Sequence, residues 1–325
     1  MAKPSEAWNL TESLLPPRRV VAVDSEPFFY GGLHTAARHC GLTSPRAISA
    51  KSWKHGIIED QEIRYLRELV HYGGKEDLHL VARDAHVEAL GRFGFYNVKA
   101  VGMPFAYARP SKAPRIPSSL LVMPVHSTHH STYLTNEDAY IEALLPTMRR
   151  FDLVVFCLHA SCVQKNLWTE TLKRRGVRYV AGASIDDANS LVRMRMIFDS
   201  FECVSANSLV SGLAYASSAG CRVSLHEPFH SPSASEWSEE PFFKAYPELL
   251  DSCASFYSEA ATRLRLPWLF VPPEQSEVRP EWGNYLVGTA HKKSPAELRK
   301  ILGWTSLGQA KLAIARLRKW IYKRR

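Results

Sequence analysis

The chain has 325 residues, of which 46% are hydrophobic and 22% charged, a composition that excludes a disordered or fibrous protein. This length allows one large core or, more readily, two medium ones. The formal net charge is +9, but residues 311–325 hold seven basic residues and no acid, which leaves +2 on the other 310 residues. A body that is basic throughout is therefore excluded, and the charge belongs to the tail.

The first residues show no basic segment followed by an apolar core, so they do not match a secretory signal. No stretch approaches 18 uninterrupted apolar residues, which is the length that a membrane-spanning helix needs. The six cysteines are scattered and lack CxxC spacing, as expected of reduced core residues. We therefore expect a cytoplasmic protein, held peripherally at the inner membrane by its tail.

Short apolar runs alternate with helical segments in the first third of the chain, a pattern typical of βαβ units and a mainly parallel sheet. The strand that opens the series ends in a carboxylate at Asp24. The predicted strands are Val20–Asp24, Ile48–Trp53, Leu78–Ala82 and Val98–Val101, and the predicted helices are Phe29–Cys40, Asp60–His71 and Asp84–Phe93.

A proline-rich segment, Arg109–Pro117, holds three prolines in nine residues and is the predicted linker. A second βαβ series follows it, with strands predicted at Leu120–Pro124, Leu153–His159, Val177–Ala181, Cys203–Ser205 and Arg222–Leu225. The sequence thus predicts an α/β protein of two Rossmann-like domains facing a central cleft. The expected domains are an acceptor domain over 1–112, a nucleotide-sugar domain over 113–290, and C-terminal helices with the basic tail over 291–325.

The most informative segment runs from Val204 to Val223, where a strand gives way at once to a predicted helix at Ser208–Ser218. The first turn of a helix offers unpaired backbone amides and the positive end of the helix dipole, which suit a phosphate. Small residues add hydroxyl groups and room for close approach, namely Ser205, Asn207, Ser208, Ser211 and Gly212. The alternative interpretation is that Asn207 and Ser208 only cap the helix.

Other strand ends are expected to line the same crevice, because ligands bind at the carboxyl ends of strands in open α/β sheets. His126 and Ser127 follow one strand, and Gly182 follows another, with an ordinary turn glycine as its alternative role. His126, His129 and His130 have no established zinc-ligand spacing, so no metal is expected. His159 closes an apolar strand and is interpreted as a core histidine.

A general base is predicted in the first domain. His55 stands at a strand-to-loop junction before Gly56, and its ordinary pKa of about 6.5 suits the deprotonation of a hydroxyl. Asp24 and Glu26 are rival bases at another predicted strand end, and capping or loop hydrogen bonding is the alternative for all three. No GxSxG, GxxxxGK[ST] or GxGxxG motif occurs, which argues against an ordinary hydrolase, NTPase or dehydrogenase.

These segments together resemble bacterial glycosyltransferases of GT-B architecture that build capsule or lipopolysaccharide chains. The resemblance covers roughly residues 50–225 and a late helix at Pro295–Trp304. It is carried by His55-Gly56, Gly102-Met103-Pro104, Arg115–Ser127 and Ser205–Val223.

The resemblance implies a nucleotide-sugar donor in the second domain and a glycan or lipid-linked acceptor in the first, with no metal or cofactor. Carried over, it places five residues at the donor phosphates, with His126 and Ser127 nearby and His55 toward the acceptor. The five are Ser205, Asn207, Ser208, Ser211 and Gly212. The paired glutamates of common retaining members are absent, since Ser208 and Ala216 stand there, which favours an inverting or CMP-sugar-like branch. The alternatives are a pyruvyl or phosphoryl transferase on the same fold and a non-catalytic nucleotide- or sugar-binding scaffold.

The basic tail is predicted to form an amphipathic helix. Its apolar face carries Ala310, Ala313, Ile314, Leu317 and Ile321, with Trp320 at the edge. Basic residues occupy the rest of the wheel, a pattern typical of attachment to an anionic membrane surface. A helix packed on the body is the alternative. Nucleic acid is not an expected partner, because the body lacks a second basic patch.

Overall fold

The computed structural model describes residues 3–59, 69–128, 130, 132–133 and 136–323, without the side chains of 316 and 318–323. The chain divides into two compact units. The first, which we call the three-stranded unit, comprises residues 18–109, 185–191 and 285–325. The second, the five-stranded unit, comprises residues 1–17, 110–184 and 192–284. The predicted boundary at residue 112 lies beside the division at 109/110, but the two units are discontinuous along the chain.

The two chain ends account for most of this discontinuity, and residues 185–191 of the three-stranded unit account for the rest. The N-terminal helix packs Trp8 against Phe201 of the five-stranded unit, with the ring centroids 4.9 Å apart. The C-terminal segment instead contributes Leu298, Leu302 and Trp304 to the core of the three-stranded unit. Both ends therefore belong to a unit other than the one nearest in sequence, and the predicted third part over 291–325 is not separate.

The eight described strands are short, and all the pairings among them are parallel. They are β1 (Ala50–Trp53), β2 (Leu78–Val81), β3 (Val98–Ala100), β4 (Ile116–Met123), β5 (Leu153–Leu158), β6 (Arg178–Ala181), β7 (Phe201–Ala206) and β8 (Arg222–Leu225). The first three form one sheet in the order β1-β2-β3, and the other five form a second sheet. The predicted α/β class with parallel sheets is confirmed.

Helices connect and follow these strands. The α-helices are α1 (Pro4–Ser13), α2 (Gly32–His39), α3 (Asp84–Arg92), α4 (Glu137–Met148), α5 (Ala160–Gln164), α6 (Thr169–Arg174), α7 (Ser190–Ser200), α8 (Ser211–Ser218), α9 (Ala234–Trp237), α10 (Pro241–Ala245), α11 (Leu250–Phe256), α12 (Glu259–Arg265), α13 (Pro280–Val287), α14 (Pro295–Ile301) and α15 (Ser306–Lys323). No helix of the described residues is both long and apolar enough to cross a membrane.

Two predicted elements of the three-stranded unit, one strand and one helix, are not confirmed. The strand predicted at Val20–Asp24 is wrong, because this segment pairs with residues 186–188 and not with the sheet. Val20 forms an isolated bridge with Asp187, and the Val21 amide donates to the Asp186 carbonyl over 2.9 Å. Most of the helix predicted at Asp60–His71 lies outside the described residues.

The five-stranded sheet has the order β6-β5-β4-β7-β8. The chain adds β5 and β6 on one side of β4 and then crosses to add β7 and β8 on the other side. This is the order of a doubly wound α/β fold, in which the direction of winding reverses between two central strands. Ligands bind in such sheets at the carboxyl ends of those two strands, which here are β4 and β7.

Candidate functional site

Asn207 joins the segments that leave three strands of the five-stranded unit. Its Oδ1 accepts a hydrogen bond from the Val125 amide, beyond β4, over 2.8 Å. Its carbonyl accepts one from the His230 amide, beyond β8, over 2.6 Å. Asn207 is buried, and it holds the carboxyl ends of β4, β7 and β8 together at the reversal point. These bonds support the predicted proximity of the ends of β4 and β7, whereas β8 was not among the strand ends predicted to line the crevice.

Neither Asn207 nor Ser208 caps the helix that follows, so the capping alternative is wrong. Helix α8 begins at Ser211, and its N-cap residue, Val210, has no side chain that can accept a hydrogen bond from the first turn. The Asn207 side chain is instead used by Val125, as described above. The first turn of α8 is therefore a helix N-terminus without a side-chain cap, beside the reversal point.

The Ser208 hydroxyl is the polar group at this point that the protein itself leaves unused. Ser208 is only 7% exposed, and among the described residues its side chain has no hydrogen-bond partner. Its oxygen is not among the fully enclosed polar atoms of the described residues, so a ligand or water can reach it. Such a group next to an uncapped helix N-terminus is what an anionic ligand would satisfy.

His126 and His159 stack face to face at the ends of β4 and β5. Their ring centroids are 4.3 Å apart, and the ring planes differ by 18°. The His126 Nδ1 lies 3.2 Å from the Ser127 carbonyl oxygen, which can only accept, so Nδ1 carries the proton and Nε2 a lone pair. Burial lowers the pKa of His126, although the Ser127 carbonyl and the charge of Glu240 oppose this effect. Neutral His126 thus offers a hydrogen-bond acceptor.

Ser127 organises this corner of the crevice. Its hydroxyl accepts from the Tyr133 amide over 2.9 Å, and its carbonyl accepts from the Ser161 hydroxyl. The Ser161 amide in turn donates to His159 Nδ1 over 3.2 Å, which orients the stacked ring. These bonds favour a positioning role for Ser127, and its predicted ligand contact stays a prediction.

Ser205 belongs to a buried chain of polar groups below the crevice. Its Oγ lies 2.7 Å from His226 Nδ1, and it accepts from the Ser224 hydroxyl over 2.9 Å. His226 Nε2 lies 2.6 Å from the Tyr140 hydroxyl. Burial lowers the pKa of His226 to about 3, so the ring is neutral. The Ser205 hydroxyl is occupied within the protein, and the arrangement gives no support to its predicted contact with phosphate.

The two predicted site glycines both have a packing role. A Cβ on Gly212 would overlap the methyl group of Met123, the last residue of β4. A Cβ on Gly182 would lie 2.6 Å from the Cys157 sulfur and 3.1 Å from that of Met194. A larger residue at 212 would thus have to displace the flexible end of the Met123 side chain, which lies where α8 begins against β4.

A segment that the sequence left unassigned lies over the same strand ends. The Trp237 indole donates to the Tyr133 hydroxyl over 2.9 Å, and the Tyr133 ring lies 5.5 Å from that of His230. His230 Nε2 is 3.4 Å from a Glu236 carboxylate oxygen, and the Thr128 hydroxyl donates to Glu240. Residues 230–240 thus add polar and aromatic side chains to the site.

Sequence reasoning missed the contribution of this segment and of His159. The region is rich in proline, serine and aromatic residues and has no clear period. One signal was present: His226 and His230 follow β8 in the same way as His126 follows β4 and His159 follows β5. A histidine after a buried strand recurs three times in the unit.

The predicted absence of a zinc site concerns His126, His129 and His130. His129 lies outside the described residues, and His130 is exposed. The described part of the chain contains no group of three or more histidine, cysteine, aspartate or glutamate residues placed to hold a metal ion.

The predicted bases of the three-stranded unit have different surroundings. His55 contacts two aromatic rings, with its ring centroid 5.3 Å from that of Phe29 and 5.0 Å from that of Tyr30. Burial, assisted by the charge of Lys54, lowers the pKa of His55 to about 3. Glu26 is 1% exposed, and burial raises its pKa against the opposing charge of Lys54.

The surroundings of Lys54 and of Asp24, in the same unit, differ in burial and charge. The Lys54 ammonium lies 3.1 Å from His71 Nε2, and burial with the charge of Lys54 lowers the pKa of His71 to about 2. Asp24 is exposed on the extended segment and makes no hydrogen bond or ion pair with the described residues. The charge of Lys54 therefore acts on both Glu26 and His55. Asp24, in contrast, lies in an exposed position.

Comparison with known proteins adds no family. No protein-family model, no curated protein and no solved structure matches the chain.

Proposed function

We propose that the chain is a GT-B-type glycosyltransferase that binds its nucleotide-sugar donor at the carboxyl ends of β4 and β7. The observation that supports this most is the pairing, at the reversal point, of the unused Ser208 hydroxyl with the uncapped N-terminus of α8. The sequence resemblance supplies the reaction class. The acceptor is a glycan or a lipid-linked glycan of the cell surface.

The polar groups of the crevice divide between the two halves of such a donor. The Ser208 hydroxyl and the Gly212 amide in the first turn of α8 are the donors that suit the phosphate oxygens, since the Leu213 amide already donates to the Val210 carbonyl. Neutral His126 accepts through Nε2, which suits a hydroxyl of the ribose or of the sugar. Asn207 is a positioning residue, because its side chain holds Val125 in place.

The transfer step breaks one bond and forms another. The acceptor oxygen bonds to the anomeric carbon while the bond from that carbon to the phosphate oxygen breaks, and the nucleotide leaves with the electron pair. Ser208 and the positive end of α8 stabilise the charge that develops on the phosphate. The acceptor proton passes to a base, for which Glu26, His55 and Asp24 are the candidates.

The pH dependence of turnover distinguishes Glu26 from His55. His55 is neutral at every pH above about 3, so a His55 base would add no acid limb near neutral pH. Glu26 has a raised pKa, so turnover through Glu26 would fall on the acid side as the carboxyl group takes a proton. Loss of the acid limb in Glu26→Gln together with most of the turnover would identify Glu26. Unchanged turnover in both Glu26→Gln and His55→Ala would remove both.

The donor site is tested with a panel of UDP-, GDP- and CMP-sugars, first for stabilisation of the fold and then for turnover. Ser208→Ala is expected to weaken binding of the donor that works by about tenfold to a hundredfold, the effect of losing a hydrogen bond to a charged group. Ser44→Ala, at an exposed serine of the three-stranded unit, is the matched control. For His126→Ala the control is the exposed His130→Ala.

The outcomes separate the proposal from its rivals. Binding of no member of the panel would contradict it. Binding without turnover would favour a nucleotide- or sugar-binding scaffold. If Ser208→Ala binds the donor with unchanged affinity, the proposed position of the donor site is wrong, but the proposed reaction is not contradicted.

A further inference from the structure

Helix α15, the last helix of the chain, is attached to the three-stranded unit along one side. The Gln309 amide donates to the Ala47 carbonyl over 2.9 Å and to the Gly303 carbonyl over 2.7 Å. Leu312 lies against Gly303, since a Cβ on that glycine would be 3.3 Å from a Leu312 methyl group. Gln309 and Leu312 therefore mark the side of α15 that packs on the protein.

Large apolar side chains occupy the opposite side. Leu307, Ile314 and Leu317 are 67%, 52% and 57% exposed, and Ala310 between them is also exposed. At 3.6 residues per turn these four positions fall within about 80° of one another on the helix surface. An apolar stripe is thus turned away from the body. This disagrees with the alternative in which the tail packs on the body through that stripe.

The charge of the same helix limits what can cover this stripe. Residues 311–325 carry seven basic residues and no acidic one, and the described Lys311 side chain is exposed. A second copy of the helix would bring two strongly positive segments together. A nucleic acid would match the charge but would leave the apolar stripe in water. An anionic bilayer matches both, with phosphate groups for the charges and acyl chains for the stripe.

We propose that α15 docks the protein on an anionic lipid bilayer, lying in the plane of the interface with Leu307, Ala310, Ile314 and Leu317 turned toward the acyl chains. An 18-residue helix is about 27 Å long. The basic residues that follow Lys311 add attraction to anionic headgroups, which decreases as salt increases. This proposal does not rest on the proposed function, because neither the donor crevice nor a base takes part in it.

The test is co-sedimentation of the full chain with phosphatidylcholine vesicles, with and without phosphatidylglycerol. The wild-type chain is expected to bind the phosphatidylglycerol vesicles, and to bind phosphatidylcholine alone much more weakly. The double variant Ile314→Ser/Leu317→Ser keeps every charge and removes two apolar side chains, so its partition coefficient is expected to fall at least about tenfold. Both side chains are exposed, so thermal unfolding should be unchanged in the variant.

Leu264→Ser is the matched control, because Leu264 is an 86% exposed leucine of the five-stranded unit. Its vesicle binding is expected to equal that of the wild-type chain. Lys311→Gln/Lys319→Gln is expected to weaken binding to phosphatidylglycerol vesicles and to flatten the salt dependence.

Three results would overturn the proposal. One is the absence of wild-type binding to phosphatidylglycerol vesicles. Another is a double serine variant that binds both the vesicles and a single-stranded RNA oligonucleotide as well as the wild-type chain does. This would show that the helix binds polyanions without inserting apolar side chains. The third is a dimer in light scattering that the double serine variant loses, which would show that a second copy covers the stripe.

Discussion

Single hydrogen bonds at the strand ends set the shape of the crevice, and Asn207 makes the most telling of them. Its side chain is 3% exposed and satisfies the amide of Val125. Asn207→Ala would leave that amide without its partner, so the free energy of unfolding is expected to fall by about 1–3 kcal/mol.

Urea denaturation measures this change. Asn97→Ala is the control, because the Asn97 side chain makes its bond to the Glu76 carbonyl at the surface, where the cost should stay below about 0.5 kcal/mol. An equal and small cost for the two variants would show that Asn207 does not hold the strand ends together.

At this scale, the sequence predicted where polar groups would gather but not what each would do. His126 and Asn207 could be predicted because both follow buried strands of a parallel sheet. The role of each side chain could not be predicted, because it depends on hydrogen-bond partners that are remote in sequence. Asn207 bonds Val125, 82 residues away, and Ser205 bonds His226, 21 residues away.

Helix α8 carries the proposed phosphate site, and a second helix fixes its position. A Cβ on Gly283 of α13 would lie 2.5 Å from the Ala214 carbonyl oxygen of α8 and would overlap the Ser218 amide. Backbone atoms cannot move aside as a flexible side chain can. Gly283→Ala is therefore expected to lower the free energy of unfolding by about 1–3 kcal/mol or more and to weaken donor binding.

The matched control for this variant is Gly91→Ala in helix α3. Nothing lies within 4 Å of a Cβ at Gly91, so the change should stabilise the protein by up to about 1 kcal/mol through helix propensity. Thermal and urea unfolding of both variants measure the difference. A neutral Gly283→Ala variant would show that the two helices do not depend on this close approach.

Elements were the most predictable level of this molecule. Strands such as β5 are continuous apolar runs, and the helices between them have clear caps or glycine ends, so local pattern was sufficient. Val20–Asp24 failed because an apolar run specifies burial or pairing but not the partner. Its partner is the segment at 186–188, which is remote in sequence.

The division of the whole molecule into units was the hardest feature to predict, because it depends on which core the two chain ends join. Trp8 and Trp304 are both almost fully buried, and each completes the core of a unit remote in sequence. A prediction made from the order of elements along the chain assigns each end to the domain nearest in sequence. Only the long-range packing of these side chains reverses that assignment.

The stability of the whole molecule should depend on pH, with the largest contributions from three histidines whose pKa values are strongly lowered. Burial lowers the pKa of His55, His71 and His226 to about 3, 2 and 3, whereas the unfolded chain titrates near 6.5. Below pH 6.5 the unfolded state takes up protons that the folded state does not. The free energy of unfolding is therefore highest above about pH 6.5 and falls as the pH drops toward 3.

Each histidine that titrates only in the unfolded state contributes a slope of about 1.4 kcal/mol per pH unit well below pH 6.5. Urea denaturation between pH 7.5 and pH 5 measures the sum. His226→Gln is expected to reduce the slope by one such contribution, and the exposed His130→Gln should leave it unchanged. A free energy of unfolding that stays constant over this range would contradict the neutral state of these rings in the folded protein.

The most direct test of the donor site uses a probe already built into it. The methyl group of Met123 lies at the end of β4 against Gly212 of α8, whereas buried Met103 belongs to the three-stranded unit. The measurement is the methyl spectrum of the chain labelled with carbon-13 methyl methionine, titrated with the nucleotide-sugar panel and assigned with Met123→Leu. We predict a saturable shift of the Met123 resonance with one class of nucleotide sugar and little change at Met103. No shift of Met123 with any member of the panel would contradict the proposed donor site.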